Sequence, residues 1–159
     1  MPVRSHAVLV LLLAVPTLAQ ALPPPVGFSL ETAVFAAPGG AAARLVAVSS
    51  CWIDGDLEAE ARLGFGSAAR PGGRGADALT PALGLRWGPD VGRWRPVLGV
   101  EAGVRVPVTG PGVAPTAAAR AGVELFARRE LSVSVSVGWR WTSGTAPGAE
   151  AIVGLGYYP

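Results

Sequence analysis

The chain has 159 residues, half of them hydrophobic, with 13 basic residues that are all arginine and 11 acidic residues. Arg4 is one of the thirteen and lies in the segment described next, so twelve remain in the rest of the chain. This near balance excludes the strongly basic composition of a nucleic-acid-binding protein, and the length suits one domain.

The N-terminal segment MPVRSHAVLVLLLAVPTLAQALPPP is typical of a secretory signal peptide. It has a basic start at Arg4, a short apolar run over residues 7–15, and small residues at Ala19 and Ala21 before a proline cluster. A membrane-anchoring helix is the alternative, but the run is shorter than the ~20 residues that a span needs. We expect a signal peptide at residues 1–21 and one domain at residues 22–159. Cys51, the only cysteine, is expected to be a small buried residue.

Eight later segments alternate apolar with small or polar residues. They cover residues 26–36, 44–53, 57–67, 78–88, 94–108, 116–127, 131–142 and 149–158. The clearest is LSVSVSVGWRW at residues 131–141, whose period of two is that of a β-strand. Shorter connections follow the second, fourth and sixth segments and longer ones follow the others, which predicts an antiparallel meander with both ends on the short-turn side.

The second segment, RLVAVSSCWI, has an ambiguous pattern. We take Asp54 and Gly55 as a two-residue hairpin turn. That turn sets Ile53 opposite Asp56 and Trp52 opposite Leu57. It therefore predicts that Val46, Val48 and Trp52 lie on the apolar face, with Arg44 as the one charge there.

The other face of the eight segments carries the charges of the strands together with ten glycines. The charged residues are Glu31, Glu58, Glu60, Arg62, Arg86, Arg95, Glu101, Arg105, Arg120, Glu124, Arg140 and Glu150. Glycine on an exposed strand makes no side-chain contacts and loses chain entropy on folding. A water-facing surface therefore does not explain why glycines and charged residues share this face. Eight strands enclose a space only just wide enough for side chains, and glycines would make room there for neutralising Arg and Glu chains. We expect these charges to form a network in the lumen of an all-β, eight-stranded antiparallel up-and-down transmembrane β-barrel.

Aromatic residues of the apolar face fall near the two ends of the segments. Trp52, Trp87, Trp94 and Tyr157 would lie at the short-turn end, and Phe65, Trp139 and Trp141 at the long-loop end. Two aromatic rings around an aliphatic band are typical of the interfacial girdles of a membrane barrel. The alternative is a soluble periplasmic or secreted lipocalin-like barrel, with the apolar face inward and a small apolar ligand inside.

The pattern resembles the small eight-stranded outer-membrane β-barrels of Gram-negative bacteria, such as the membrane domain of outer membrane protein A and the outer membrane protein X and W types. The resemblance rests on DLEAEARLGFG, PALGLRWG, PVLGVEAGVRVPV, AARAGVELF and LSVSVSVGWRW. It implies the cell outer membrane, lipid as the surrounding partner, and insertion by the barrel assembly machinery, which reads a terminal aromatic residue. The last segment, AIVGLGYYP, supplies Tyr157 and Tyr158 but departs from that pattern by closing on Pro159.

Residues that carry chemistry are scarce. The chain beyond the signal segment has no histidine to act as a base, no Cys/His cluster for a metal, and no nucleotide-binding glycine loop. We expect no enzyme activity, cofactor or metal site, no nucleic-acid partner, and a structural or surface-interaction role. Glu58 and Glu60 could form a paired acid and base, but a salt-bridged lumen with Arg62 and Arg86 is favoured. An aqueous channel needs about sixteen strands, so a wide pore is not expected.

Pairing residues that lie at equal distances from the centre of a connecting loop gives a rough estimate of which charged residues face each other on neighbouring strands. It sets Glu60 opposite Arg86 and Arg140 opposite Glu150. The same operation sets Arg105 opposite Arg120 and Glu101 opposite Glu124, which is unfavourable. Either that register is shifted or the partners lie on other strands.

Overall fold

The computed structural model describes residues 26–37, 40–70, 73–74, 77–89 and 91–159, with the side chains of all of these except residues 37, 68–70 and 73–74. The predicted signal peptide at residues 1–21 lies outside the described residues.

Nine strands occur in the described ranges. They are β1 (Val26–Ala37), β2 (Gly40–Asp54), β3 (Leu57–Arg70), β4 (Gly73–Arg74), β5 (Ala78–Trp87), β6 (Trp94–Pro107), β7 (Ala114–Phe126), β8 (Leu131–Thr142) and β9 (Gly148–Tyr157). β4 has two residues and pairs antiparallel with the end of β3, with Arg74 opposite Ala69. The other eight correspond to the eight segments predicted from the sequence.

These eight strands close on themselves. Each pairs antiparallel with the next one along the chain, and β1 pairs with β9 from Phe28 opposite Tyr157 to Ala36 opposite Ala149. Closure removes the free sheet edges, so the backbone groups of the ladder are paired around the ring. The predicted fold class, an all-β, eight-stranded antiparallel up-and-down barrel, is confirmed.

The side chains alternate between inside and outside as the pattern predicts. In β8 the residues at odd positions from Leu131 to Trp141 are exposed, and Ser132, Ser136 and Arg140 are buried. β9 alternates over its whole length, with Glu150 and Ile152 inside and Val153 and Leu155 outside.

β2 is the exception, and the predicted face of this strand is wrong. Asp54 pairs with Leu57, so the turn consists of Gly55 and Asp56, one residue later than predicted. A β-bulge at Ile53 follows, and Trp52 pairs with Glu58. The bulge shifts the pairing by one residue, which turns every side chain of β2 from Trp52 back to the start of the strand to the other face. Val46 and Val48 therefore point into the barrel and are buried.

The barrel has two distinct ends. We call turn end the one that holds the β2–β3, β5–β6 and β7–β8 connections together with Val26 and Tyr157, and loop end the opposite one. The predicted difference in connection length is smaller than expected. The stretch APGGAAA is mostly strand, because β1 continues to Ala37 and β2 starts at Gly40.

Candidate functional site

The outer surface of the barrel is apolar. Leucine and valine side chains cover its middle and are about half exposed, among them Leu83, Val100, Val137 and Leu155. In water, such a continuous surface would be a strong aggregation liability. The alternative of a lipocalin-like barrel needs this face inside, and the structure has it outside.

Exposed aromatic residues lie at both ends of this apolar surface. Trp87, Trp94 and Tyr157 are outside at the turn end, where Phe28 pairs with Tyr157, and Phe65, Trp139 and Trp141 are outside at the loop end. Along β8, the outward residues run over ten steps from Leu131 to Trp141. At about 3.3 Å per residue and a tilt of about 40°, this gives a band about 25 Å tall. That height matches the apolar band of outer-membrane barrels.

Trp52 does not belong to the outer aromatic set, because the bulge at Ile53 turns it inward. Its ring lies under the guanidinium of Arg95, with the guanidinium carbon 4.1 Å from the ring centroid. This is a cation–π contact inside the barrel. The prediction that placed Trp52 in the turn-end girdle is wrong, and the cause is the register of β2.

The interior of the barrel is charged. Six arginines and six glutamates among the described residues meet there in ion pairs: Arg44, Arg62, Arg86, Arg95, Arg120, Arg140, Glu31, Glu58, Glu60, Glu101, Glu124 and Glu150. We call this set the lumen network. Arg95 and Glu58 have no exposed surface at all. Arg44, which was predicted on the apolar face, belongs to the network because β2 is turned.

The half of the network nearest the loop end links β2, β6, β8 and β9, and it also contacts β3 and β7. Glu150 of β9 accepts from Arg140 at 3.0 Å and also contacts Arg44 of β2. Arg140 reaches Glu101 of β6, whose other oxygen lies 2.8 Å from Nε of Arg62. The same Arg140 donates to the hydroxyl of Thr116 at 3.2 Å.

The half nearest the turn end continues from Arg62 without a break. Arg62 donates to Glu60 at 3.1 Å, and Glu60 also binds Arg120. Nη1 of Arg86 lies 3.8 Å from Glu60 and 3.9 Å from Glu58. The pairs Arg95–Glu58 and Arg86–Glu124 complete the path. Each end of the barrel is therefore connected to the other through alternating charges.

Burial of these charges is tolerated because they neutralise one another. Moving one ion into an apolar interior costs several kcal/mol, and close partners offset that cost. The network holds equal numbers of positive and negative groups. Loss of one member would leave a buried partner unpaired, which costs about 3–5 kcal/mol.

Glycines provide the space that the long side chains need. A Cβ placed on Gly99 would lie 2.7 Å from Nε of Arg120, and one on Gly154 would lie 3.0 Å from Cγ of Glu31. A Cβ on Gly84 would lie 2.9 Å from the backbone carbonyl oxygen of Val100, while its distance of 3.5 Å to Oε2 of Glu60 is an ordinary contact. Gly99 and Gly154 cannot carry larger residues without moving the network, and Gly84 cannot do so without moving the backbone of β6.

The two rough oppositions predicted for the charges are each displaced by two residues in the ladder, and the predicted partners Arg140 and Glu150 do form an ion pair. Arg86 pairs with Glu58 in the ladder rather than with Glu60, and Arg140 pairs with Gly148 although its side chain reaches Glu150 diagonally. The predicted like-charge pairs are absent from the described ladder between β6 and β7. In that ladder, Arg120 is opposite Gly99 and Glu124 is opposite Arg95. The other two charged residues are opposite alanines: Glu101 is opposite Ala118, and Arg105 is opposite Ala114. Arg105 is half-buried near the loop end.

Tyr158, the residue after β9, turns into the turn end of the barrel. Its hydroxyl donates to Glu124 at 2.9 Å and accepts from Arg86 at 3.4 Å. Its ring packs near Phe126, with centroids 5.7 Å apart. Burial raises the pKa of the Tyr158 hydroxyl, so it stays protonated as the donor to Glu124. The alternating pattern of the last segment does not predict these contacts of Tyr158 in the lumen.

The described residues contain no group of three or more His, Cys, Asp or Glu side chains that could hold a metal ion. Within the same part of the chain, no helix is long and apolar enough to cross a membrane. Cys51 is a free thiol and is buried.

Comparison with known proteins identifies the fold. No protein-family model and no curated protein sequence matches the chain. The solved structure of Neisserial surface protein A is similar, with a TM-score of 0.67 and 11% identity, over 86% of this chain and 98% of that one. The N-terminal β-barrel domain of Pseudomonas aeruginosa OprF gives 0.60 and 11%, over 83% and 95%. The outer membrane enzyme PagL gives 0.58 and 15%, over 82% and 99%. The chain therefore has the fold of small outer-membrane β-barrels.

Proposed function

We propose that this protein is a non-enzymatic β-barrel of the bacterial outer membrane, with a structural or surface-interaction role. Its lumen is filled by a salt-bridged network and does not act as a pore. The signal peptide at residues 1–21 directs export, lipid surrounds the apolar belt, and the barrel assembly machinery inserts the chain.

The inverted distribution of side chains carries the proposal. Charged side chains lie inside the barrel and apolar side chains outside, between two aromatic zones. A protein surrounded by water would gain nothing from burying twelve charges while exposing leucine and valine. In lipid, the same arrangement places apolar atoms against acyl chains and satisfies the backbone through the closed ladder.

The absence of a pore and of catalysis is supported by what fills the lumen. Glu58 and Glu60, the one paired-carboxylate candidate, are buried and bound to arginines, which leaves them unavailable to a substrate. The hydroxyl of Ser132 donates to Glu124 at 2.5 Å and is likewise buried. Eight strands leave no aqueous channel around such side chains.

A pair of arginine substitutions tests whether the outer face meets lipid. Val100 is outward at the middle of β6, and Thr109 is exposed in the loop that follows the same strand. Val100→Arg is expected to destabilise the barrel in lipid vesicles by about 2–4 kcal/mol, since the charge would enter the apolar band. Thr109→Arg is the matched control and should leave stability unchanged.

The measurements are cell fractionation and heat-modifiable gel migration, followed by urea unfolding in vesicles. The wild-type chain is expected in the outer-membrane fraction and should migrate faster before boiling. Recovery in the soluble periplasmic fraction without detergent, together with a neutral Val100→Arg, contradicts the proposal.

A further inference from the structure

The turn end of the lumen is closed by two half-buried aromatic side chains. Trp52 of β2 covers the guanidinium of Arg95, and the ring of Tyr158 lies beside Gly27 of β1 and Gly156 of β9. Beneath them are Glu58, Glu124 and Ser132, each at most 3% exposed. The aromatic side chains thus separate buried charges from solvent.

Tyr158 is held differently from its neighbour Tyr157. Tyr157 lies within β9 and points outward, with 49% of its surface exposed. Tyr158 lies beyond the strand. Among the described residues, its backbone N–H donates to the carbonyl of Glu130 at 2.8 Å, and this is its one ladder-like bond there. Its position therefore depends largely on its side chain.

The barrel has space prepared for the Tyr158 ring. A Cβ on Gly27 would lie 2.6 Å from Cε1 of this ring, and a Cβ on Gly156 would lie 3.3 Å from Cε2. Phe126 of β7 contacts the ring from another side. Strands β1, β7 and β9 thus form a seat for one aromatic side chain.

We propose that Tyr158 is a lid that seals the turn end of the lumen and keeps water away from Glu124, Ser132 and Arg86. The lid is attached by one backbone bond and by side-chain contacts, so it can lift while the barrel ladder remains intact. When the Tyr158 ring lifts, water and small ions enter the turn-end half of the lumen network. The ion pairs near the loop end remain shielded from water.

Thiol labelling at Ser132 tests the lid. The parent variant carries Ser132→Cys and Cys51→Ala, so that the reagent, a charged methanethiosulfonate, has one target below Tyr158. Buried groups react only through opening, so labelling of the parent is expected to be slow. Adding Tyr158→Ala should raise the labelling rate by about tenfold or more, and Tyr158→Phe, which retains the ring, should raise it far less.

Tyr157→Ala is the matched control, since it removes the same side chain from the lipid face one residue earlier. Heat-modifiable migration shows which variants are folded, and Tyr158→Val repeats the measurement if Tyr158→Ala is not. An unchanged rate in the folded Tyr158 variants overturns the proposal. An equal acceleration by Tyr157→Ala also overturns it, because that result would reflect general loosening.

Discussion

Glycine is the residue on which the interior of this barrel depends. At Gly99 an added Cβ would meet the movable side chain of Arg120, whereas at Gly122 it would meet the backbone carbonyl of Val135. The sequence predicts the general role of inward glycines, because long charged chains need small neighbours in a narrow lumen. The sequence does not predict which glycine is most costly to replace, since that cost depends on which atoms lie close to each glycine.

Substitution of these two glycines should have unequal effects. Gly122→Ala is expected to destabilise the barrel by about 1–3 kcal/mol, because the backbone must move. Gly99→Ala should cost less, because Arg120 can shift by rotation about its side-chain bonds. Ala121→Val, on the lipid face beside Gly122, is the control and should be close to neutral. Urea unfolding in lipid vesicles measures all three, and equal losses at Gly99 and Gly122 would show that the distinction is wrong.

Strand β2 shows where sequence periodicity stops being sufficient. Both of its faces read as apolar, since Val46 and Val48 point inward while Leu45 and Ala47 point outward. The turn therefore decided the predicted register. Placing the turn one residue early changes the pairing by two residues and keeps each side chain on its face, whereas the bulge at Ile53 changes it by one and reverses the strand. A bulge at Ile53 leaves no signal in alternation, because the adjoining SSCWI stretch has none. The strands with a charged inner face, such as β8 and β9, were predicted correctly because their two faces differ.

Deletions in β2 test this account of its register. Removing Ile53 should abolish the bulge and keep Trp52 opposite Glu58, so we expect folding near that of the wild type. Removing Ala47 should turn the residues before it to the other face, which moves Arg44 out of the lumen to the level of Phe65 and breaks its buried pair with Glu150, at a cost of about 3–5 kcal/mol. The folded fraction by heat-modifiable migration compares the two. A barrel damaged as much by loss of Ile53 as by loss of Ala47 contradicts the account.

At the scale of the whole molecule, the barrel has charged side chains inside and apolar side chains outside, the reverse of a water-soluble protein. The lumen network joins the two ends through charges, and the outer face presents an apolar band between two aromatic zones. The general arrangement follows from the sequence, since opposite patterning on the two faces of eight strands has few other solutions. The individual partners do not, because pairs such as Arg140–Glu101 and Arg120–Glu60 join strands that are not consecutive in the chain.

The orientation of the two faces is tested most directly on β8. Spin labels attached to single cysteines replacing Val133, Val135 and Val137, each with Cys51→Ala, report collision with oxygen dissolved in lipid and with a water-soluble nickel complex. In vesicles we expect high oxygen and low nickel accessibility at all three positions, and the reverse at Arg129 in the exposed β7–β8 turn. Nickel accessibility at Val133, Val135 and Val137 equal to that at Arg129 would show that this face meets water and would contradict the membrane barrel.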